Sequence, residues 1–227
     1  MQILLIAGLW LDASAWDTVL GPLRAHGHDA TAVALPGQGA PPRSATLEDQ
    51  RDAVLAALDA TDQPTMLVSH SAATTLAWLA CDARPDRVAH AVMIGGFPSA
   101  DGAEYANFFK ITDGVMPFPG WEPFAGADSA DLDQAQRGAI AAAAIPVPEA
   151  VAKGLVHLTD QRRYTVPITI ICPEFSADQA RQWIRDGDVP ELASAQNVDC
   201  VDINSGHWPM FTRPVEIGNL LATIADA

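Results

Sequence analysis

The apolar run Thr65-Met66-Leu67-Val68 passes without a break into Ser69-His70-Ser71-Ala72-Ala73, and Thr74 to Ala80 reads as helix immediately after. A strand that turns straight into a helix leaves one residue at the apex, on a strained backbone, with its side chain held clear of both elements. Ser71 holds that apex. The residues two positions before and after it pass so close that bulky side chains would clash. Glycine is the usual occupant; here Ser69 and Ala73 stand in. A serine-rich N-cap on an ordinary helix would look similar, so the reading depends on what the rest of the chain supplies.

Two other segments bear on it. Asn204-Ser205-Gly206-His207-Trp208-Pro209-Met210 follows the strand-like run Val198 to Ile203. This puts a histidine in a loop just past a strand end, where a general base for the serine belongs. At the N-terminus the apolar run Ile3 to Ala7 ends in Gly8-Leu9-Trp10. Backbone N–H groups of such a turn can face the carbonyl oxygen of a substrate held at the serine. Nucleophile first and histidine last is the chain order of the α/β-hydrolases. On these motifs the chain resembles that family, specifically the small branch containing plant methyl esterases and hydroxynitrile lyases. The resemblance runs over nearly the whole chain and is weakest between about Pro98 and Val166.

The resemblance implies an α/β-hydrolase fold: about six strands in a mostly parallel sheet, helices on both faces, and an inserted cap at about 97–166 within a single domain of 1–227. It implies a serine hydrolase of a small carboxylic ester, lactone or thioester, acting through an acyl-enzyme on Ser71 with His207 as base. The backbone N–H groups of Leu9 and Ala72 would form the oxyanion hole. In this branch the acid stands three residues past the strand-end cysteine, and that position is Phe175. Glu174 is one residue earlier and is the favoured acid, because an extra methylene compensates for a shifted backbone. Asp178 is the alternative, and Asp101 or Glu104, after the strand ending near Ile94, is a less usual location.

Three other readings are weighed against this one. A hydroxynitrile lyase of this fold uses a threonine on the oxyanion strand and a lysine just after the histidine, where this chain has Gly8 and Trp208. Dehalogenases and epoxide hydrolases need a carboxylate nucleophile, which Ser71 excludes. A binding or receptor-like protein that keeps the fold without useful turnover stays open, because the elbow is irregular and the acid displaced.

Strands and helices alternate along the chain. Gln2 to Ala7 suits a strand buried on both faces. Trp16, Val19, Leu20 and Leu23 fall on one helical face that Gly27 can end. Asp29 to Leu35 reads as a strand closed by Pro36-Gly37-Gln38-Gly39, and Thr46 with Asp49 resembles a capping box for a helix carrying Leu47, Val54, Leu55 and Leu58. Strands follow at Val88 to Ile94, Ile168 to Cys172 and Val198 to Ile203, with a helix from Ala177, capped by Ser176, and another after Pro214. Such alternation implies a parallel sheet with right-handed crossovers. Between Phe97 and Pro167 the rhythm breaks, and a structureless loop of that length is improbable. Its aromatics Phe108, Phe109, Phe118, Trp121 and Phe124 read as the segment's own core or as apolar pocket walls. Trp10 and Trp208 are candidates for the pocket mouth, and Ala139 to Ala144 reads as helix.

Composition narrows the partners. Thirteen basic against twenty-eight acidic residues give a formal charge of −15, which repels nucleic acid and anionic membrane and leaves a small molecule as the expected partner. Three cysteines, Cys81, Cys172 and Cys200, lie at unrelated spacings in apolar contexts and read as buried thiols. No spacing resembles a metal site or a glycine-rich cofactor loop, so neither metal nor cofactor is expected. Met1 to Gly8 lacks a positive leader and no run is long enough to span a bilayer, so a cytoplasmic location is expected. His70 fills the variable slot before the nucleophile, where the resembled family often has a histidine packed beside the elbow, so no catalytic role is expected of it; His26 and His28 flank Gly27 at a helix end, and His90 and His157 have no evident partner. The oligomeric state is not legible.

Overall fold

A computed structural model describes residues 1–38 and 44–227; Gly39, named above as part of a turn, lies outside them. Its strands are β1 (Gln2–Ile6), β2 (Asp29–Ala32), β3 (Thr65–His70), β4 (Val88–Ile94), β5 (Val115–Met116), β6 (Val147–Pro148), β7 (Ile168–Cys172) and β8 (Val198–Asp202). Six of them form one parallel sheet in the order β2-β1-β3-β4-β7-β8, while β5 and β6 pair antiparallel by themselves. The helices are α1 (Asp17–Ala25), α2 (Leu47–Asp59), α3 (Thr74–Ala83), α4 (Gln134–Ala143), α5 (Glu149–Ala152), α6 (Ala177–Asp186), α7 (Pro190–Ala193), α8 (Pro209–Thr212) and α9 (Pro214–Asp226).

The apolar runs form strands because both faces of the sheet are covered. Successive side chains of a strand point to opposite faces. Ile3 and Leu5 of β1, Met66 and Val68 of β3, and Val92 and Ile94 of β4 pack with Val19 and Leu23 of α1 and Ile217 and Leu221 of α9. Leu4, Ile6, Leu67, Ala91 and Met93 point the other way, onto Val54 and Leu58 of α2 and Leu76 and Trp78 of α3. This is the doubly covered parallel architecture that the alternating pattern predicts.

Local signals act where they were read. Thr46 caps α2 in a full capping box, its Oγ1 accepting from the Asp49 N–H at 3.2 Å and its own N–H donating to Asp49 at 2.8 Å. Ser176 caps α6 in the same way with Gln179. Several boundaries differ from the sequence reading: β1 and β8 each end one residue earlier, and α4 begins at Gln134, ahead of the alanine-rich stretch Ala139 to Ala144. The strand expected over Asp29 to Leu35 ends at Ala32: β2 is an edge strand whose register with its single partner β1 runs to Leu5↔Ala32, with one further bond from the Val33 N–H to the Leu5 carbonyl. Trp16 belongs to a 3-10 turn, Ala13–Trp16, that precedes α1.

The segment between β4 and β7 contains β5, β6, α4, α5 and short 3-10 turns. It is tied to the rest of the chain in two places. The Trp10 carbonyl accepts from the Ile145 N–H at 2.9 Å, and the Trp10 indole donates to the Met116 carbonyl at 3.2 Å. At its return end, buried Arg163 donates to Glu191 of α7 at 3.0 Å and to Asp82 of α3 at 3.2 Å. Trp78 donates to the same Glu191 oxygen, and the Thr159 and Asp160 N–H groups donate to Asp82. Two carboxylates and one guanidinium out of water cost solvation, which this dense bonding offsets.

Candidate active site

Ser71 has φ 55°, in the left-handed region that a β-branched or bulky residue rarely enters. It sits in a short 3-10 turn, Ser71–Ala73, between β3 and α3. Its neighbours Ser69, His70, Ala72 and Ala73 are all buried, while Ser71 itself is half-buried. The strained turn therefore exposes the serine alone. Ser69 and Ala73 fit as stand-ins for glycine: both are fully buried, and the Ser69 hydroxyl is satisfied by donating to the Val92 carbonyl at 3.1 Å.

Two glycines that the sequence reading passed over make room for this turn. A Cβ on Gly96 would lie 2.7 Å from the Ser71 carbonyl oxygen and 3.1 Å from its Cα, so only glycine lets the loop after β4 lie against the elbow. Gly95 has φ +61°, and a Cβ there would come within 3.1 Å of His207 Nδ1. A Gly-Gly pair directly after a strand is the signal that could have drawn attention to them.

His207 stands in the loop between β8 and α8, where the sequence placed it. Its Nδ1 lies 2.7 Å from Glu174 Oε1, and both side chains are largely buried. Glu174 is thus the carboxylate brought to the histidine. Asp178 is not: its side chain is 95% exposed and pairs with Arg181 at 2.9 Å. Asp101 accepts from the Leu158 N–H, and Glu104 accepts from Asn107, so neither of these faces His207. Phe175, at the position where the resembled branch carries its acid, stacks on Phe97 at 5.5 Å.

The backbone of His207 is held as firmly as its ring. Its N–H donates to the Asp128 carbonyl at 2.8 Å, and its carbonyl accepts from His70 Nε2 at 2.8 Å. The Gly206 N–H donates to Asp131 Oδ2 at 2.9 Å, and Gly206 has no room for a Cβ against Asp128 and Asp131. Burial and the charge of Glu174 push the Asp128 carboxyl above the usual carboxylate range, with His207 opposing. Burial, and then His207, holds His70 well below the ordinary histidine range, so it is neutral.

Leu9 follows Gly8 past the end of β1, and a Cβ on Gly8 would lie 3.1 Å from Ser71 Cβ. The turn carrying Leu9 therefore abuts the elbow carrying Ala72. Trp10, like Ser71, has positive φ, at 62°.

Trp10, Phe118, Trp121, Phe124 and Trp208 form one chain of rings, whereas Phe108, read above as core or pocket wall, is exposed to solvent. Trp10 packs on Phe118 at 5.4 Å and Phe124 at 6.0 Å, Phe118 on Trp121 at 5.2 Å, and both Trp121 and Phe124 on Trp208 at 5.3 Å. Trp208 in turn lies 4.8 Å from the His207 ring. Trp10 and Trp208 are buried, 7% and 4% exposed, rather than standing at a rim. A cleft of about 400 Å³ opens beside Trp10, Leu11, Ile140 and Phe211, and a closed pocket of about 10 Å³ lies behind Gly8, Leu9 and Tyr105. Neither cavity is bordered by Ser71 or His207.

Cys81, Cys172 and Cys200 are buried free thiols, and burial pushes Cys172 up to about 12. Among the described residues no group of three or more His, Cys, Asp or Glu is placed to hold a metal, and no helix is long and apolar enough to cross a membrane.

Methylesterase 7 of Arabidopsis thaliana is 27% identical over an alignment of 266 positions that covers 99% of this chain and 96% of that protein. Two solved structures share the fold at lower identity. An extracellular alpha/beta-hydrolase from a Paenibacillus species, described as homologous in structure and function to tobacco salicylic acid binding protein 2, superposes with TM-score 0.79 at 20% identity, covering 98% of both chains. An Arabidopsis methylesterase superposes with TM-score 0.76 at 17% identity, covering 100% of this chain and 99% of that one. The model of the alpha/beta hydrolase family matches residues 3–218, nearly the whole length, and the chain belongs to that family: it is a hydrolase.

Proposed function

We propose that the protein is a serine esterase acting on a small carboxylic ester through an acyl-enzyme on Ser71. The reading rests on a strained, half-buried serine and, in a loop tied to the same elbow through His70, a histidine whose Nδ1 lies 2.7 Å from a largely buried carboxylate. With Nδ1–H directed at Glu174, the neutral imidazole leaves Nε2 unprotonated and able to take the Ser71 proton. Glu174 then stabilises the imidazolium that forms. Attack on the ester carbonyl forms the Ser71 Oγ–C bond, and the oxyanion is received by the backbone N–H groups of Leu9 and Ala72. His207 returns the proton to the leaving alcohol as the C–O bond breaks. Water, activated by the same histidine, then releases the acid and regenerates Ser71.

The segment at 97–166 serves as a cap, and its Phe118, Trp121 and Phe124, packed with Trp10 and Trp208, give the substrate apolar walls. Small esters suit a site whose neighbourhood is this filled. Methyl esters are the first class to try, since two of the relatives are methylesterases. The lyase alternative is disfavoured by space as well as by sequence: any side chain at Gly8 would meet His70 Nδ1 at 2.7 Å. The test is hydrolysis of short-chain methyl and p-nitrophenyl esters by wild type and Ser71→Ala. Turnover in the first and a loss of about a thousandfold or more in the second are expected; equal rates would sink the proposal.

A further inference from the structure

We infer that His70 is a positioning residue for His207: its Nε2–H fixes the His207 carbonyl and so sets the backbone from which the imidazole meets Glu174 and, in the reaction proposed above, serves Ser71. The inference rests on the esterase reading above, and it gives a defined task to a residue that sequence alone marks only as the one before the nucleophile.

Three observations converge on His70. Its side chain is 1% exposed and lies between the elbow, the oxyanion turn and the histidine loop. Nε2 is 2.8 Å from the His207 carbonyl oxygen, which can only accept, so the proton is on Nε2. Nδ1 is then a bare lone pair, and it is buried without a partner, against Gly8. A buried polar atom left unpaired is unfavourable, and an apolar residue of similar size would avoid it. What the imidazole provides in return is one directed donor at the base's own peptide.

The ring is also suited to that task by being uncharged. The His70 and His207 rings are 4.8 Å apart. A second imidazolium there would oppose the positive charge that His207 acquires when it takes the serine proton. Burial and His207 both keep His70 neutral, so it donates a hydrogen bond without opposing the imidazolium. His207 is thereby held at its N–H by Asp128, at its carbonyl by His70 and at Nδ1 by Glu174. A displacement of this loop by a fraction of an ångström would weaken the Glu174 bond and the approach to Ser71 together.

The experiment compares wild type, His70→Gln and His70→Leu. Glutamine is of similar size and can present an amide N–H near the position of Nε2; leucine fills the space without a donor. With thermal midpoints recorded for each, His70→Leu should lose at least tenfold in kcat on a short p-nitrophenyl ester with KM within about twofold, and His70→Gln should stay within about threefold of wild type. Should the leucine variant not fold, His70→Asn, polar but too short to reach, takes its place. A folded His70→Leu with wild-type kcat, or His70→Gln no better than His70→Leu, would overturn the inference. If wild type turns over no ester, the esterase reading fails by itself, and proton NMR still decides the positioning role. The Nδ1–H resonance of His207 should persist in wild type and His70→Gln and be lost to solvent exchange in His70→Leu; the same signal in all three overturns it.

Discussion

Oε1 of Glu174 lies 2.7 Å from Nδ1 of His207, although Glu174 stands two residues past the end of its strand and not three. The longer glutamate side chain makes up the difference, leaving the next position free for Phe175 to pack on Phe97 and Trp183. Glu174→Gln keeps the volume and removes the charge that holds His207 in its working tautomer. It should lower kcat at least a hundredfold with little change in stability, whereas Asp178→Asn should stay within about twofold of wild type. Steady-state kinetics on one ester checks both. Comparable losses in the two variants would show that the pairing is not what the reaction uses.

Substrate choice should reside in the aromatic chain of the cap. Each methylene buried against apolar walls gains about 0.8 kcal/mol, or roughly fourfold in affinity. Esters lengthened one methylene at a time should therefore improve to a limit and then fall sharply. Phe118→Ala, Trp121→Ala or Phe124→Ala should move that limit while fluorophosphonate labelling of Ser71 persists. A flat profile unmoved by all three would remove the cap from substrate selection.

His70 also ties stability to pH. Its folded pKa lies well below the ordinary histidine range, with burial first and His207, the titratable group facing it, second among the causes. The unfolded chain therefore binds a proton at His70 that the folded chain does not, and stability must fall as pH drops below about 6.5, by up to about 1.4 kcal/mol per pH unit. His70→Gln, which has nothing to titrate, should flatten that part of the curve. Denaturant unfolding from pH 7.5 to 5 measures it, and parallel curves for the two proteins would contradict a buried neutral histidine.

At the return end of the cap segment, Arg163→Leu would leave Asp82 and Glu191 buried and without their cation, with side chains 8% exposed. Breaking a buried pair by removing one partner costs about 3–5 kcal/mol. Urea titration should show a correspondingly lower midpoint; an unchanged one would mean that the network is solvated.

What the sequence disclosed was local. The elbow at Ser71, the helix caps at Thr46 and Ser176 and the apolar strands are each specified by residues within a few positions of one another, and so is the loop of His207. Glu174 could be favoured over Asp178 because reach along one loop is a short-range argument. The contributions of Gly95, Gly96, Asp128, Asp131 and His70 were not legible. Each acts on a residue distant in sequence: Gly96 against Ser71, Asp128 and His70 against the peptide of His207. The paired two-residue strands β5 and β6 are too short to carry any periodicity. The end of β2 is set by its register with β1, a pairing its own residues do not encode.

The central claim, that Ser71 is a nucleophile activated by His207, is tested most directly by fluorophosphonate labelling of the intact protein with mass spectrometry of its peptides. One adduct per chain on the peptide containing Ser71, absent in Ser71→Ala and strongly slowed in His207→Ala, is the predicted result. A folded wild-type protein that takes up no label, or takes it up equally in Ser71→Ala, would contradict it.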